Sequence, residues 1–179
     1  MAPRAGPEGF LSDEVARSIY LPPWRIDVLA RAGIKSPVPA TDLARAIASA
    51  LEAAKAPQPG SVTVVLTDDE ELAELNAEHM GHEGPTDVLS FPMLEPASFP
   101  SAAPKAARRV HIGDIAISVE RAREQAIEGR GGQTGDVRWS VSDELRLLVT
   151  HGTLHLCGMD HAKPAEEATM RALERRLLG

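Results

Sequence analysis

Cysteine is almost absent. Cys157 is the one thiol among 179 residues, which excludes an internal disulfide framework and makes a reducing, cytoplasmic location the expectation. Long apolar runs are also missing. Nothing approaches the roughly 20 residues of a membrane span or the apolar core of a signal peptide, so no membrane partner is expected. Aromatics are scarce, with two Trp, one Tyr and three Phe, which argues against a platform that stacks successive bases. Positive charge is in deficit, 19 Lys and Arg against 26 Asp and Glu, for a net charge of -7 and a pI near 5.4. Nonspecific coating of nucleic acid depends on neutralising phosphates and is disfavoured by this balance; a DNA partner is not expected. A local basic cleft remains open to the chain, and its length suits one domain with a core that needs no covalent staples.

What is present is an alternation of elements. Residues 1–40, with proline at 3, 7, 22, 23, 37 and 39, read as an irregular extension in which "WRIDVL" (24–29) offers a first strand. Residues 41–179 read as a single domain. "TDLARAIASALEAAKA" (41–56) has apolar residues at 43, 47, 50, 51 and 54, the spacing of an amphipathic helix. "SVTVVLT" (61–67) is a β-branched strand that feeds a helix over 68–79, whose acidic first turn suits the helix dipole. "DVLSFP" (87–92) predicts another strand, 95–107 a loop, and 111–128 a strand followed by a helix. After the glycine-rich "GRGGQTG", 141–158 predicts a long helix and 163–178 a last one. The expected fold class is therefore α+β in layers: a single mixed sheet packed with about five helices. On the long helix, Leu145, Val149, Gly152 and Leu156 should face inward and leave His151 and His155 on a neighbouring stripe at a cleft edge.

That helix ends in "THGTLHLCGMDH" (150–161), which contains three of the six histidines. Residues four apart stand on one helical face one turn from each other, so His151 and His155 can reach one small object. Gly158 can take the left-handed conformation that ends a helix and turns His161 back toward the same point. Three convergent imidazoles leave a fourth position open, as in catalytic zinc sites. Cys157 lies 200° from His155 and reads as a small core residue. Glu144 shares the His151 stripe but lies about 10 Å along the axis, too far to be a ligand. The spacing matches the H-E-x-x-H-x-x-G-x-x-H pattern of metzincin proteases, except that Gly152 stands where those enzymes carry the glutamate that serves as general base. The chelate is kept and the peptidase base is lost.

"HGTLHLCGMDH" resembles the H-G-x-L-H-L-x-G-y-D-H signature of the YbeY family, bacterial metal-dependent endoribonucleases of ribosomal RNA maturation. "GPTDVLSFP" (84–92) and "IGDIAIS" (112–118) are similar to two further segments of that family, in the same order. The resemblance implies a zinc ion at His151, His155 and His161 and a sheet-plus-helices fold. It also implies a role in 16S rRNA 3′-end processing and ribosome quality control, with RNA of the small ribosomal subunit as partner. Aligned on Asn76 and Pro85, the family's Tyr-Arg pair falls on His79 and Met80, so its arginine has no counterpart there.

Other residues near the motifs have two readings each. Asp160 could act as a catalytic proton acceptor or orient a ligand imidazole, or simply fix its turn through its own backbone. Thr86 and Asp87 cap a strand or line the cleft. Asp114, inside an apolar strand, must be paired, either facing the site or within a polar network. His82 reads as a surface residue, and His79 and His111 carry no assignment. Basic residues concentrate at Lys105, Arg108 and Arg109 and at Arg121, Arg123, Arg130 and Arg138. Of these, Arg109 and Arg138 are the expected substrate-binding groups that would replace the missing arginine. The leading function is a single-strand-specific metallo-endoribonuclease whose nucleophile, water or the 2′-hydroxyl, stays open. The alternatives are another metal-dependent hydrolase, or a ribosome-assembly RNA-binding factor with a structural metal.

Overall fold

The β-branched run at 61–67 becomes the strand at the centre of the molecule. The computed structural model describes residues 15–101, 107–128 and 139–179. Its strands are β1 (Val15–Leu21), β2 (Trp24–Ala30), β3 (Gly60–Thr67), β4 (Val88–Pro92) and β5 (Val110–Ser118), joined in one sheet in the order β1-β2-β3-β5-β4. β2, β3 and β5 are parallel, while β1 and β4 run antiparallel at the two edges. The helices are α1 (Ala40–Ala53), α2 (Asp69–Leu75), α3 (Val119–Glu128), α4 (Val141–Leu156) and α5 (Pro164–Leu178). Among the described residues, the expected single mixed sheet with about five helices is what forms. None of the helices among the described residues is long and apolar enough to cross a membrane.

One face of the sheet holds the main core. Val62, Val64 and Leu66 of β3 alternate with more exposed residues and are fully buried together with Trp24, Ile26, Ile112, Ile115 and Ile117. Against them pack Leu43, Ile47 and Leu51 of α1 and Leu145, Val149 and Leu156 of α4. The period of two along each strand is what sorts these side chains onto one face. The other face carries a smaller cluster of Leu72, Leu89 and Ala116 with Leu75 and Phe91, beneath α2.

Three sequence expectations change. Residues 15–30, read as irregular with one strand, form an antiparallel β1–β2 hairpin that continues the sheet across position 40. Pro22 and Pro23, read as breakers, occupy the connection between Leu21 and Trp24, where no ladder hydrogen bond is required of them. The helix expected over 68–79 is α-helical only to Leu75 and then widens into a π-helical turn over Asn76–Met80, closed by Gly81 at φ 67°.

α2 is fastened to the sheet by charge. Asp68 caps it by accepting from Glu71 N at 3.0 Å. Arg31, just past β2, grips the Glu71 carboxylate with Nη2 at 2.6 Å and Nε at 2.9 Å, and the Thr67 hydroxyl donates to the same group. Burial pushes the Glu71 carboxyl up, but the hydrogen bonds from Arg31 and Thr67 and the guanidinium charge outweigh it and hold the group below the usual carboxylate range. A depressed carboxyl contributes stability above its unfolded pKa that is lost as pH falls through the folded value. Glu71→Gln is therefore expected to be less stable by about 1–2 kcal/mol at neutral pH, with the difference shrinking at acid pH as the carboxyl takes up its proton. Urea unfolding at the two pH values checks this; an equal difference at both would assign the loss to packing.

Candidate metal centre

The helix that carries the histidines is tightly defined at both ends. Ser140 Oγ accepts from Asp143 N at 3.1 Å and Asp143 Oδ2 accepts from Ser140 N at 2.9 Å, a reciprocal capping box that starts α4. At its other end Gly158 is left-handed, with φ 81°. Gly158 N donates to His155 O at 3.0 Å and Met159 N to Leu154 O at 3.1 Å. Those two bonds make a Schellman motif, and Met159 packs with Leu154, the apolar contact that accompanies it. The chain leaves the helix in a fixed direction, and His161 comes back over the last turn as the glycine spacing predicted.

Leu145, Val149, Gly152 and Leu156 are buried on the sheet side, as expected, and His151 and His155 stand half-buried beside them. Gly152 lies against β4 and β5. A methyl group there would meet Ile115 Cγ2 at 3.0 Å, Ser90 Oγ at 3.2 Å and Val88 Cγ2 at 3.3 Å. Ser90 Oγ also donates to Gly152 O at 2.9 Å, tying the histidine helix to the edge strand. The position that bears glutamate in metzincins is here a sheet contact.

The three imidazoles form a group. Ring centroids are 4.6 Å apart for His151 and His155, 4.9 Å for His155 and His161, and 5.5 Å for His151 and His161. One ligand nitrogen from each lies within 4.8 Å of the others, and His151 Nε2 and His155 Nε2 are 3.0 Å apart. A tetrahedral zinc with bonds of about 2.0–2.1 Å holds its ligand nitrogens about 3.4 Å apart, a spacing that lies between the 3.0 Å of the His151–His155 pair and the 4.8 Å limit of the group. Burial, followed by the neighbouring His151 and His161, pushes the His155 pKa down to about 4, with Asp160 acting weakly in the other direction. His155 is thus neutral at pH 7, the form that coordinates a metal. Cys157 is buried and burial pushes its thiol up to about 12, so it is core filler as read.

A carboxylate that the sequence reading passed over completes the group. Glu174 of α5 is buried, and its Oε1 lies 2.6 Å from His151 Nδ1. The signal was present in the helix phase: Glu174 falls on the stripe of Met170, Leu173 and Leu177, whose other members pack with Leu154 and Ala50. Glu144, dismissed as a ligand on distance, is fully buried and accepts from Trp139 Nε1 at 2.6 Å.

The remaining expected residues divide. Asp160 is exposed and its Oδ1 accepts from His161 N at 2.7 Å, the backbone-fixing arrangement. Thr86 Oγ1 is 3.5 Å from Asp87 Oδ1, and Asp87 Oδ2 accepts from Gln125 Nε2 at 3.2 Å. Asp114 faces away from α4. A register shift at Ser61/Val62 inserts Ile112 as an extra residue, which turns Ile112 and Ile115 to the core and Asp114 to the opposite face. There it meets His111 Nε2 at 2.8 Å, while His111 Nδ1 is 3.0 Å from Ser61 Oγ. Asp114 has the network role, and His111 acquires one. His79 packs edge-on against Phe91, in the cluster under α2, and Met80 beside it is exposed. His82 is exposed in the following loop. Arg109 Nη1 donates to Pro23 O and Gly60 O, both at 2.9 Å, pinning the start of β5 to its neighbours. Arg121 is held by Asp69 at 3.3 Å and Glu124 at 3.5 Å. Lys105, Arg130 and Arg138 lie outside the described residues.

Several known proteins are similar to this chain. Residues 33–179 match the family model described as Endoribonuclease YbeY. The Endoribonuclease YbeY of Salinispora tropica is 42% identical over 142 residues, 77% of this chain and 85% of that protein. The protein of the same name from Thermobifida fusca is 39% identical over 153 residues, covering 86% of this chain and 91% of its own. That from Roseiflexus castenholzii is 40% identical over 145 residues, 79% and 83% of the two chains. A solution structure of a Thermotoga maritima protein aligns with a TM-score of 0.48 at 25% identity, covering 87% of this chain and 86% of that one. With the matched segment running from before α1 through all three histidines to Gly179, this chain belongs to the YbeY endoribonuclease family.

Proposed function

We propose that this chain is a single-strand-specific, metal-dependent endoribonuclease that acts in the cytoplasm on the 3′ end of 16S rRNA and in ribosome quality control. Its partner is RNA of the small ribosomal subunit, and its cofactor is one zinc ion per chain. The observation that carries the reading is the convergence of three imidazole nitrogens within 4.8 Å of one another, beside a helix position that offers no carboxylate. Zinc in such a site supplies Lewis-acid chemistry, polarising a phosphoryl oxygen and making water more acidic.

The chain's own groups do the rest. His151, His155 and His161 would hold the ion. A peptidase of this spacing needs a general base next to the first histidine, and the lack of one at Gly152 favours a phosphodiester over a peptide bond. Asp160, at the surface next to His161, takes the proton of the attacking group, water or the 2′-hydroxyl. Arg109 and Arg138 hold substrate phosphates in place of the family arginine that Met80 lacks.

Chelator-stripped protein is expected to lose cleavage of a single-stranded RNA that spans the precursor 3′ end, and to regain it with one equivalent of zinc. The same sequence as a duplex should stay uncut. Cleavage that survives chelation, or that is equal in a His155→Ala preparation, would overturn the reading.

A further inference from the structure

We propose that Glu174 is a positioning residue that selects the coordinating form of His151, an inference that rests on reading the three histidines as metal ligands. Its carboxylate Oε1 lies 2.6 Å from His151 Nδ1, while Nε2 of the same ring faces His155 Nε2 at 3.0 Å. The two nitrogens therefore point to different partners. A carboxylate can only accept, so the proton of the neutral ring sits on Nδ1 and the lone pair on Nε2, toward the other ligands. In the other tautomer a lone pair would face the carboxylate and an N–H would occupy the metal side.

The carboxylate has little freedom to adapt. Glu174 is 9% exposed, and Met170, Leu173 and Leu177 on its stripe hold α5 against Leu154 and Ala50. Burying a charged group among such residues is unfavourable without a strong hydrogen bond, and His151 provides one. That single hydrogen bond links the last helix to the metal centre.

Groups that orient a metal ligand from behind contribute about 10–100-fold to metal affinity. The test is the zinc dissociation constant of the full chain, measured by competition with a chromophoric chelator, for wild type, Glu174→Ala, Glu174→Gln and Met170→Ala. Nitrogen NMR of His151 in the zinc-free proteins at alkaline pH, where imidazole is neutral, reads the tautomer directly.

Glu174→Ala is expected to weaken zinc binding about 10–100-fold and to give a mixture of tautomers. Glu174→Gln, whose amide oxygen accepts the same hydrogen bond, should lose less and keep the proton on Nδ1. Met170→Ala loosens the seat of α5 without touching His151 and should leave affinity within a few-fold of wild type. If Glu174→Ala does not fold, Glu174→Gln and the wild-type tautomer still decide: a wild-type proton on Nε2 overturns the proposal. Tight zinc binding by wild type with unchanged affinity in both Glu174 variants overturns it too, as does an equal loss in Met170→Ala. A wild type that binds no zinc overturns the metal reading and, with it, this inference.

Discussion

A His151→Ala/His155→Ala double variant is expected to remain folded, to retain no stoichiometric zinc, and to cleave RNA at least about 10²–10³-fold more slowly than wild type. The rate follows from the several kcal/mol that a Lewis acid contributes to a phosphoryl transition state, at about 1.4 kcal/mol for each factor of ten. The fold survives because both histidines are only half-buried and neither belongs to the inward stripe of Leu145, Val149 and Leu156. Alanine also suits a helix interior better than histidine. The change does leave Glu174 buried without its 2.6 Å partner, at a cost of about 1–3 kcal/mol. Elemental analysis and cleavage assays on one preparation check the expectation, and undiminished metal content would remove the three-histidine site. The pH dependence has a fixed direction. Coordination needs neutral imidazole, so zinc content should fall as pH drops below about 6.5. Burial and its histidine neighbours hold His155 down to about 4, so it stays a neutral donor well below that pH.

Restoring the metzincin glutamate, Gly152→Glu, should prevent stable folding and create no peptidase. The Cβ atom alone would press on Ile115 at 3.0 Å, Ser90 at 3.2 Å and Val88 at 3.3 Å, and the carboxylate would be driven between the helix and the sheet. The Ser90 hydrogen bond to the Gly152 carbonyl would be lost as well. Overpacking of this kind costs about 1–3 kcal/mol and a buried unpaired charge several more, which approaches the roughly 5–15 kcal/mol that holds a domain together. Gly152→Ala should be far milder, because the better helix propensity of alanine, about 1 kcal/mol, offsets part of the strain. Urea titration of the two variants separates these expectations. A Gly152→Glu protein with the wild-type midpoint would show that position 152 has room the structure denies it.

The histidine group was legible because its parts are local. Two histidines four apart, a helix-ending glycine and a third histidine define a geometry through helix pitch and one turn, and the inward stripe followed from the same pitch. Features made by distant contacts were not legible. Asp114 changes face because of one extra residue in β5, and alternation along a strand carries no mark of a bulge. The β1–β2 hairpin was hidden by Pro22 and Pro23, which break a strand in its interior but not at its turn. Glu174 could have been found as a carboxylate on an apolar stripe, although its partner lies 23 residues away and only the packing of α5 on α4 brings the two together. The widening of α2 into a π-helical turn leaves the hydrophobic pattern unchanged, so periodicity misses it.

The three histidines that could hold a metal fall within eleven consecutive positions, 151–161, whereas the strands that support them pair across long separations in the chain. A denatured chain that flickers into one turn of helix already presents His151 and His155 to an ion. Metal-linked stability is set by the difference in affinity between the folded and unfolded ensembles, so zinc captured by the unfolded chain subtracts from the stabilisation that its dissociation constant implies. Zinc should therefore raise the melting temperature less than its affinity alone would suggest. It can also join the chain before the slow parallel pairing of β2, β3 and β5 is complete, organising the C-terminal helices while the sheet is still being assembled.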